Sequence, residues 1–338
     1  MTTALPRASR ALLVVLAATA LLAACVGGAS GPTGGAVPSE TVESVFPVTI
    51  PHSLGSTVVP AEPQRVVSLG YTDQDTILAL GVVPVAIREF TGNQPSATWP
   101  WASDRLQGQQ PQVLSGEINT ETLAALRPDL IVAVSAGLTQ EMYDTYSRIA
   151  PTITQPVGVA PFQTAWQDAT RHVGAALGRH EQSEKLVTEL ELHLISVRAH
   201  YPQFTGRTAA VAAASSSGPG SYFVWTSADN RGRFLESLGF TVPQAFDDLA
   251  GDRFYAEISA ERLDLLDHND VVAWITIPGT ANAGLEQQPG YPALRVGQEG
   301  RVLSLTEEQG AALSFSSVLS LPALLDTLPA QVATRLGA

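Results

Sequence analysis

Two stretches of this 338-residue chain repeat one pattern, and the repetition limits what it can fold into. Ile118-Asn119-Thr120-Glu121-Thr122-Leu123-Ala124-Ala125-Leu126 runs into Arg127-Pro128-Asp129-Leu130-Ile131-Val132-Ala133. Ile258-Ser259-Ala260-Glu261-Arg262-Leu263-Asp264-Leu265-Leu266 runs into Asp267-His268-Asn269-Asp270-Val271-Val272-Ala273. Each copy reads as a capping residue (Asn119 or Ser259), a Glu at the second helical position, a short helix and a buried strand that begins with Asp. A fainter echo pairs Leu80-Gly81-Val82-Val83-Pro84 with Leu238-Gly239-Phe240-Thr241-Val242-Pro243. A chain that repeats itself in this way is expected to fold as two similar α/β lobes.

Between and around the two copies, short apolar runs alternate with helical patterns. Strands are expected over 65–69, 82–87, 129–134, 208–214, 222–225, 270–276 and 301–305. Helices are expected over 73–80, 120–126, 233–238 and 260–266, with Gly81 and Gly239 closing two of them. Strands separated by helices imply βαβ units and mostly parallel sheets. The stretch 180–200 carries no strand signal. Its Leu186, Leu190, Leu194 and Val197 form an apolar stripe, and Pro202 stops it. About 21 helical residues span roughly 30 Å, enough to join two lobes stiffly. The expected organisation is therefore an N-terminal lobe over 43–178, a connecting helix over 179–203 and a C-terminal lobe over 204–338.

The N-terminus says where these lobes fold. Arg7 and Arg10 precede an apolar run over 11–22, and then Leu22-Ala23-Ala24-Cys25. A charged start, a dozen apolar residues and small residues before a cut read as a secretory signal over 1–24, too short to span a bilayer. Cys25 is the single cysteine, so no internal disulfide can form. Its setting resembles a bacterial lipobox, whose cysteine is acylated and anchors the chain to a membrane. The Gly-, Ser- and Pro-rich stretch within 25–42 reads as a flexible tether.

Several function classes are disfavoured. The formal net charge is −13, and loss of Arg7 and Arg10 deepens it by two, which argues against nucleic acid as a partner. No Gly-x-Ser-x-Gly elbow occurs, and a cysteine at a lipidation site cannot serve as a cleft nucleophile, so no catalytic residue is assigned. The six histidines (His52, His172, His180, His193, His200 and His268) show no metal-ligand spacing, so no metal site is assigned. Four of them lie in helical stretches, where exposure is the ordinary reading.

Five segments in order carry a resemblance to a known family. These are Pro63-Gln64-Arg65-Val66-Val67-Ser68-Leu69 with Ala79-Leu80-Gly81-Val82-Val83-Pro84-Val85, then Leu126-Arg127-Pro128-Asp129-Leu130-Ile131, Arg148-Ile149-Ala150-Pro151-Thr152, Ile258-Ser259-Ala260-Glu261-Arg262 and Gly300-Arg301-Val302. Over about 46–329 the chain resembles the iron-siderophore-binding proteins of ABC importers, relatives of the ferrichrome- and cobalamin-binding proteins. The resemblance implies a helical-backbone solute-binding fold: two α/β lobes joined by one rigid helix, with ligand held in the cleft between them. It also implies a monomer without a cofactor of its own, held by its lipid at the extracytoplasmic face of the cell membrane. Its partners would be a ferric siderophore and a membrane permease dimer; haem or cobalamin is the alternative ligand. Proteins of this kind dock one Glu from each lobe on the permease, which here maps to Glu121 and Glu261. By position alone both are first-turn acids favoured by the helix dipole.

A protein that binds an iron chelate has to recognise a large, partly aromatic and often anionic surface. Aromatic faces and guanidinium groups on loops after strand ends are suited to that. Tyr71, Arg88, Trp99, Trp101, Trp225, Arg231, Arg253 and Tyr255 occupy such places and are the candidate ligand contacts.

Overall fold

Short, mostly apolar strands build two five-stranded sheets whose inner strands are buried on both faces. A computed structural model describes residues 45–218, 220–277, 285–287 and 290–337. The expected signal, tether and Cys25 lie outside the described residues. An antiparallel hairpin, β1 (Val48–His52) and β2 (Gly55–Val59), comes first.

The first sheet holds β3 (Val66–Ser68), β4 (Ala86–Arg88), β5 (Gln112–Leu114), β6 (Leu130–Val132) and β7 (Thr152–Ile153), ordered β5-β4-β3-β6-β7. All its pairings are parallel. Alternate residues feed opposite faces, as the period of two requires. Val66, Leu130 and Val132 join one cluster with Val173 and Leu177, and Val67 and Ile131 join another with Leu123 and Tyr146.

The second sheet holds β8 (Ala209–Ala214), β9 (Ser221–Trp225), β10 (Tyr255–Ser259), β11 (Val271–Ile275) and β12 (Val302–Ser304), ordered β10-β9-β8-β11-β12. β8, β11 and β12 are parallel, whereas β9 runs antiparallel to both β8 and β10. The two sheets place β6 and β11 in matching positions, and these are the strands of the repeated motif. The motif's Asp does the same work in both. Asp129 accepts from the Gln64 and Arg65 amides at 2.7 and 2.8 Å, pinning the start of β3. Asp270 accepts from the Thr208 amide at 2.9 Å, pinning the start of β8.

The helix His180–His200 connects the two sheets in the chain. Ser183, Val187, Leu190 and Leu194 form its buried stripe. The expected Leu186 and Val197 lie only half-buried, but Leu186 packs against clusters of both lobes.

Four expectations need correction. The strand over 82–87 is confined to Ala86–Arg88, because Pro84 has no N–H for the ladder and the Val82 amide closes the preceding helix on the Ile77 carbonyl at 3.1 Å. The helix over 260–266 is two pieces, a 3-10 turn Ala260–Arg262 and a single α-turn Asp264–Asp267. Ser259 makes no capping bond there, whereas Asn119 accepts from the amides of Glu121 and Thr122 at 2.8 and 3.0 Å. Tyr255 opens strand β10 instead of lying in a loop before that helix.

Candidate functional site

Loops after β3, β4 and β6, together with residues of β9, β10 and the end of β11, line a cavity of about 640 Å³. Loops at strand carboxyl ends are where an open α/β sheet places its ligands. Tyr71 follows β3, the segment 89–93 follows β4, and Val134 and Ser135 follow β6. From the other lobe come Phe223 and Trp225 on β9, Tyr255 on β10, Thr276 and Ile277 after β11, and the helix Glu307–Phe315.

Ring contacts run around this cavity without a break. Phe315 meets Phe90 at 5.5 Å between centroids, Phe90 meets Tyr71 at 5.2 Å, and Tyr71 meets Phe162 at 6.2 Å. Phe162 meets Phe254 at 5.7 Å, Phe254 meets Tyr255 at 4.9 Å, Tyr255 meets Phe223 at 5.1 Å, and Phe223 meets Trp225 at 6.4 Å. The chain crosses from lobe to lobe twice, at Phe90–Phe315 and at Phe162–Phe254. Pairs at such separations contribute about 0.5–1.5 kcal/mol each beyond the area they bury. Two glycines admit the rings. A Cβ on Gly137, at φ +63°, would lie 2.3 Å from the Phe162 ring, and one on Gly92, at φ +88°, would lie 2.3 Å from Trp99.

Charge is arranged in layers. Arg231 stands over Trp225, its Cζ 4.5 Å from the ring centroid, and donates through Nη1 to both carboxylate oxygens of Asp229 at 3.0 and 3.1 Å. Only 12% of the Arg231 side chain and 4% of that of Asp229 is exposed, so the pair is held in a low-dielectric wall. Asp229 also caps the helix Asn230–Ser237. The Arg231 Nε has no hydrogen-bond partner among the described residues. Deeper in the cavity Asp73 accepts from the Val134 amide at 2.7 Å and from the Ser135 hydroxyl at 2.7 Å. Burial outweighs these donors and raises its pKa to about 6.

Of the eight candidate contacts, Tyr71, Trp99, Trp225, Arg231 and Tyr255 line the cavity. The other three stand one layer back. Trp101 stacks on Trp99 at 5.2 Å with the rings nearly parallel, and its indole N–H donates to Asp75 at 2.9 Å. The Arg88 guanidinium lies 4.3 Å from the Tyr71 centroid, and the Arg253 guanidinium 5.4 Å from that of Tyr255. Phe90, Phe162, Phe223 and Phe315 were missed by sequence reasoning. Phe90 carried a usable signal, two residues past a strand end, whereas Phe315 closes a helix and carried none.

Outside the cavity, Glu121 and Glu261 are both exposed. Glu261 lies in the 3-10 turn, where the Ser259 hydroxyl and its own backbone N–H hold its carboxyl below the usual range. His172 is half-buried and bonds the Thr154 carbonyl at 2.9 Å, unlike the exposed helix histidine expected. His52 is buried against Thr57 and Thr154, and burial lowers its pKa to about 4. Among the described residues no group of three or more His, Cys, Asp or Glu is placed to hold a metal ion, and no helix is long and apolar enough to cross a membrane.

Comparison with known proteins adds three findings. The family model described as periplasmic binding protein matches residues 66–309. A probable siderophore-binding lipoprotein of Bacillus subtilis is 26% identical over 238 residues, covering 69% of this chain and 67% of its own length. Alignments with the first three curated relatives span 52–67% of those proteins. A solved periplasmic solute binding protein from Mycobacterium smegmatis is 35% identical with a TM-score of 0.76, covering 86% of this chain and 99% of its own. PiaA of Streptococcus pneumoniae, solved in complex with ferrichrome, shares the fold at a TM-score of 0.72 and 23% identity over the same fractions.

Proposed function

The chain belongs to the periplasmic binding protein family, and from that premise we propose that it is the extracytoplasmic binding component of an ABC importer, capturing ferric siderophores between its lobes. The observation that carries this reading is the aromatic chain along the cavity, which spans both lobes. A chelated ion presents a bulky, largely organic surface, and ring faces cover such a surface with little loss of side-chain freedom. Arg231 lines the cavity as a donor held in place by Asp229, suited to a chelator oxygen. The description of the Bacillus relative supports the ligand class, and its being a lipoprotein supports anchoring through Cys25. The protein would act as a monomer, with no cofactor besides the chelate, and would present Glu121 and Glu261 to a permease dimer.

Trp99, Trp166 and Trp225 all line the cavity, so binding should be read directly in intrinsic fluorescence. Titration with a broad set of ferric siderophores should give sub-micromolar quenching by at least one, about −8 kcal/mol or better, with none from uncomplexed iron. Quenching by haem, cobalamin, zinc or manganese alone, with every siderophore silent, would overturn the reading.

A further inference from the structure

The charges on the cavity wall discriminate among iron chelates, an aspect of specificity that the family relationship leaves open. Arg231 is the one Lys or Arg among the described lining residues, and its charge is already cancelled by Asp229 at 3.0 Å. Residues 278–284, 288 and 289, outside the described set, contain no Lys or Arg either. Glu89 and Glu307 also line the cavity, and neither makes an ion pair among the described residues. Arg88 and Arg253 are absent from the wall, each lying over a tyrosine ring. The rest of the lining mixes neutral Ser, Thr and Asn side chains with aromatic rings, and the face of a ring, with its negative quadrupole, attracts cations and repels anions.

Ferric complexes differ sharply in charge. Three singly charged hydroxamates cancel the ferric charge, and a pendant amine makes the complex cationic, whereas three doubly charged catecholates leave a trianion. Desolvating a trianion in a pocket without a free cation is strongly unfavourable. We propose that this cavity selects ferric chelates of zero or positive charge, the tris-hydroxamate class, over trianionic tris-catecholates. The paired Arg231 fits that class, since it can donate a hydrogen bond to a hydroxamate oxygen without bringing uncompensated charge. This inference rests on the reading of the cavity as the chelate site.

The test is a matched fluorescence titration of the full chain with a neutral ferric tris-hydroxamate, a cationic one and a ferric tris-catecholate, at low and high salt. The hydroxamates should bind at least about tenfold tighter than the catecholate at low salt, and added salt should narrow the gap by screening the repulsion. The double variant Glu89→Gln, Glu307→Gln should raise catecholate affinity about tenfold and lower that of the cationic complex. A catecholate that binds as tightly as the neutral hydroxamate overturns the selectivity and leaves siderophore capture standing. A double variant with unchanged catecholate affinity overturns its electrostatic origin. Silence from all three complexes, with haem or cobalamin binding, overturns the chelate-site reading and this inference together.

Discussion

Asp75 shows how much of this protein depends on contacts that no local pattern announces. It sits in the helix Asp73–Ala79 and reads as an ordinary first-turn acid, yet it is buried between the lobes. Its Oδ2 accepts from the Ser317 hydroxyl at 2.5 Å and from the Trp101 indole at 2.9 Å, while its Oδ1 has no partner among the described residues. Burial raises its pKa from 3.8 to about 6. A raised acid stabilises the fold fully below its unfolded value, and that contribution is lost as pH rises through the folded one, here between 3.8 and about 6. Asp75→Asn keeps an acceptor for both bonds and removes the buried charge. It should therefore be more stable than the parent at pH 7.5 by about 1–3 kcal/mol, and nearly equal to it at pH 4. Urea denaturation at the two pH values checks this, and an offset independent of pH would contradict it. The same distance in sequence explains Trp101. Expected in a loop as a ligand contact, it lies in the short helix Pro100–Ser103, where its partners are Asp75, 26 residues away, and the Trp99 and Phe315 rings.

At the scale of elements, the parallel core was legible because its strands are short, apolar and bounded by turn signals. The repeated Asp of the motif was legible for the same reason. Elements with no apolar excess were not: β5 is an exposed edge strand, β7 has two residues, and β10 alternates buried and exposed positions. The connecting segment expected over 179–203 is helical over His180–His200, and its packing gives it a mechanical role. Leu186 touches clusters of both lobes, and the Ser317–Asp75–Trp101 bonds and the Phe90–Phe315 contact tie the lobes on the cavity side. Large closures need a few loop residues that absorb changes in φ and ψ, and a packed 21-residue helix offers none within its length. Small-angle scattering curves with and without a bound ferric siderophore should superpose within error. A contraction of the size seen in hinge-closing binding proteins would show that the lobes move about some other segment.

For the whole molecule the question is how a filled cavity reaches the membrane. The two copies of the motif occupy matching places in the two lobes, so Glu121 and Glu261 offer one acid from each lobe, as a two-fold permease dimer would require. The local settings differ. Glu121 stands in the first turn of a capped helix, Thr120–Ala125, and Glu261 in a three-residue turn held by Ser259. Both are exposed and neither lines the cavity, so reversing their charge costs little inside the protein, at most about 0.3–1 kcal/mol of helix-dipole interaction at Glu121. Glu121→Arg and Glu261→Arg should leave chelate affinity and thermal stability nearly unchanged. Each should reduce uptake of the labelled chelate by cells, and the double variant should reduce it most. Under the proposed docking, attraction between these acids and a cationic permease surface would be screened by salt, so association of the parent protein with the reconstituted importer should slow as ionic strength rises. In the same uptake assay Cys25→Ala should shift the protein from the membrane fraction to the medium. Its uptake defect should be relieved by adding excess protein, which the charge reversals would not allow. Full uptake by the double variant would return Glu121 and Glu261 to the status of ordinary helix-start acids, and an unchanged membrane fraction for Cys25→Ala would remove the anchor.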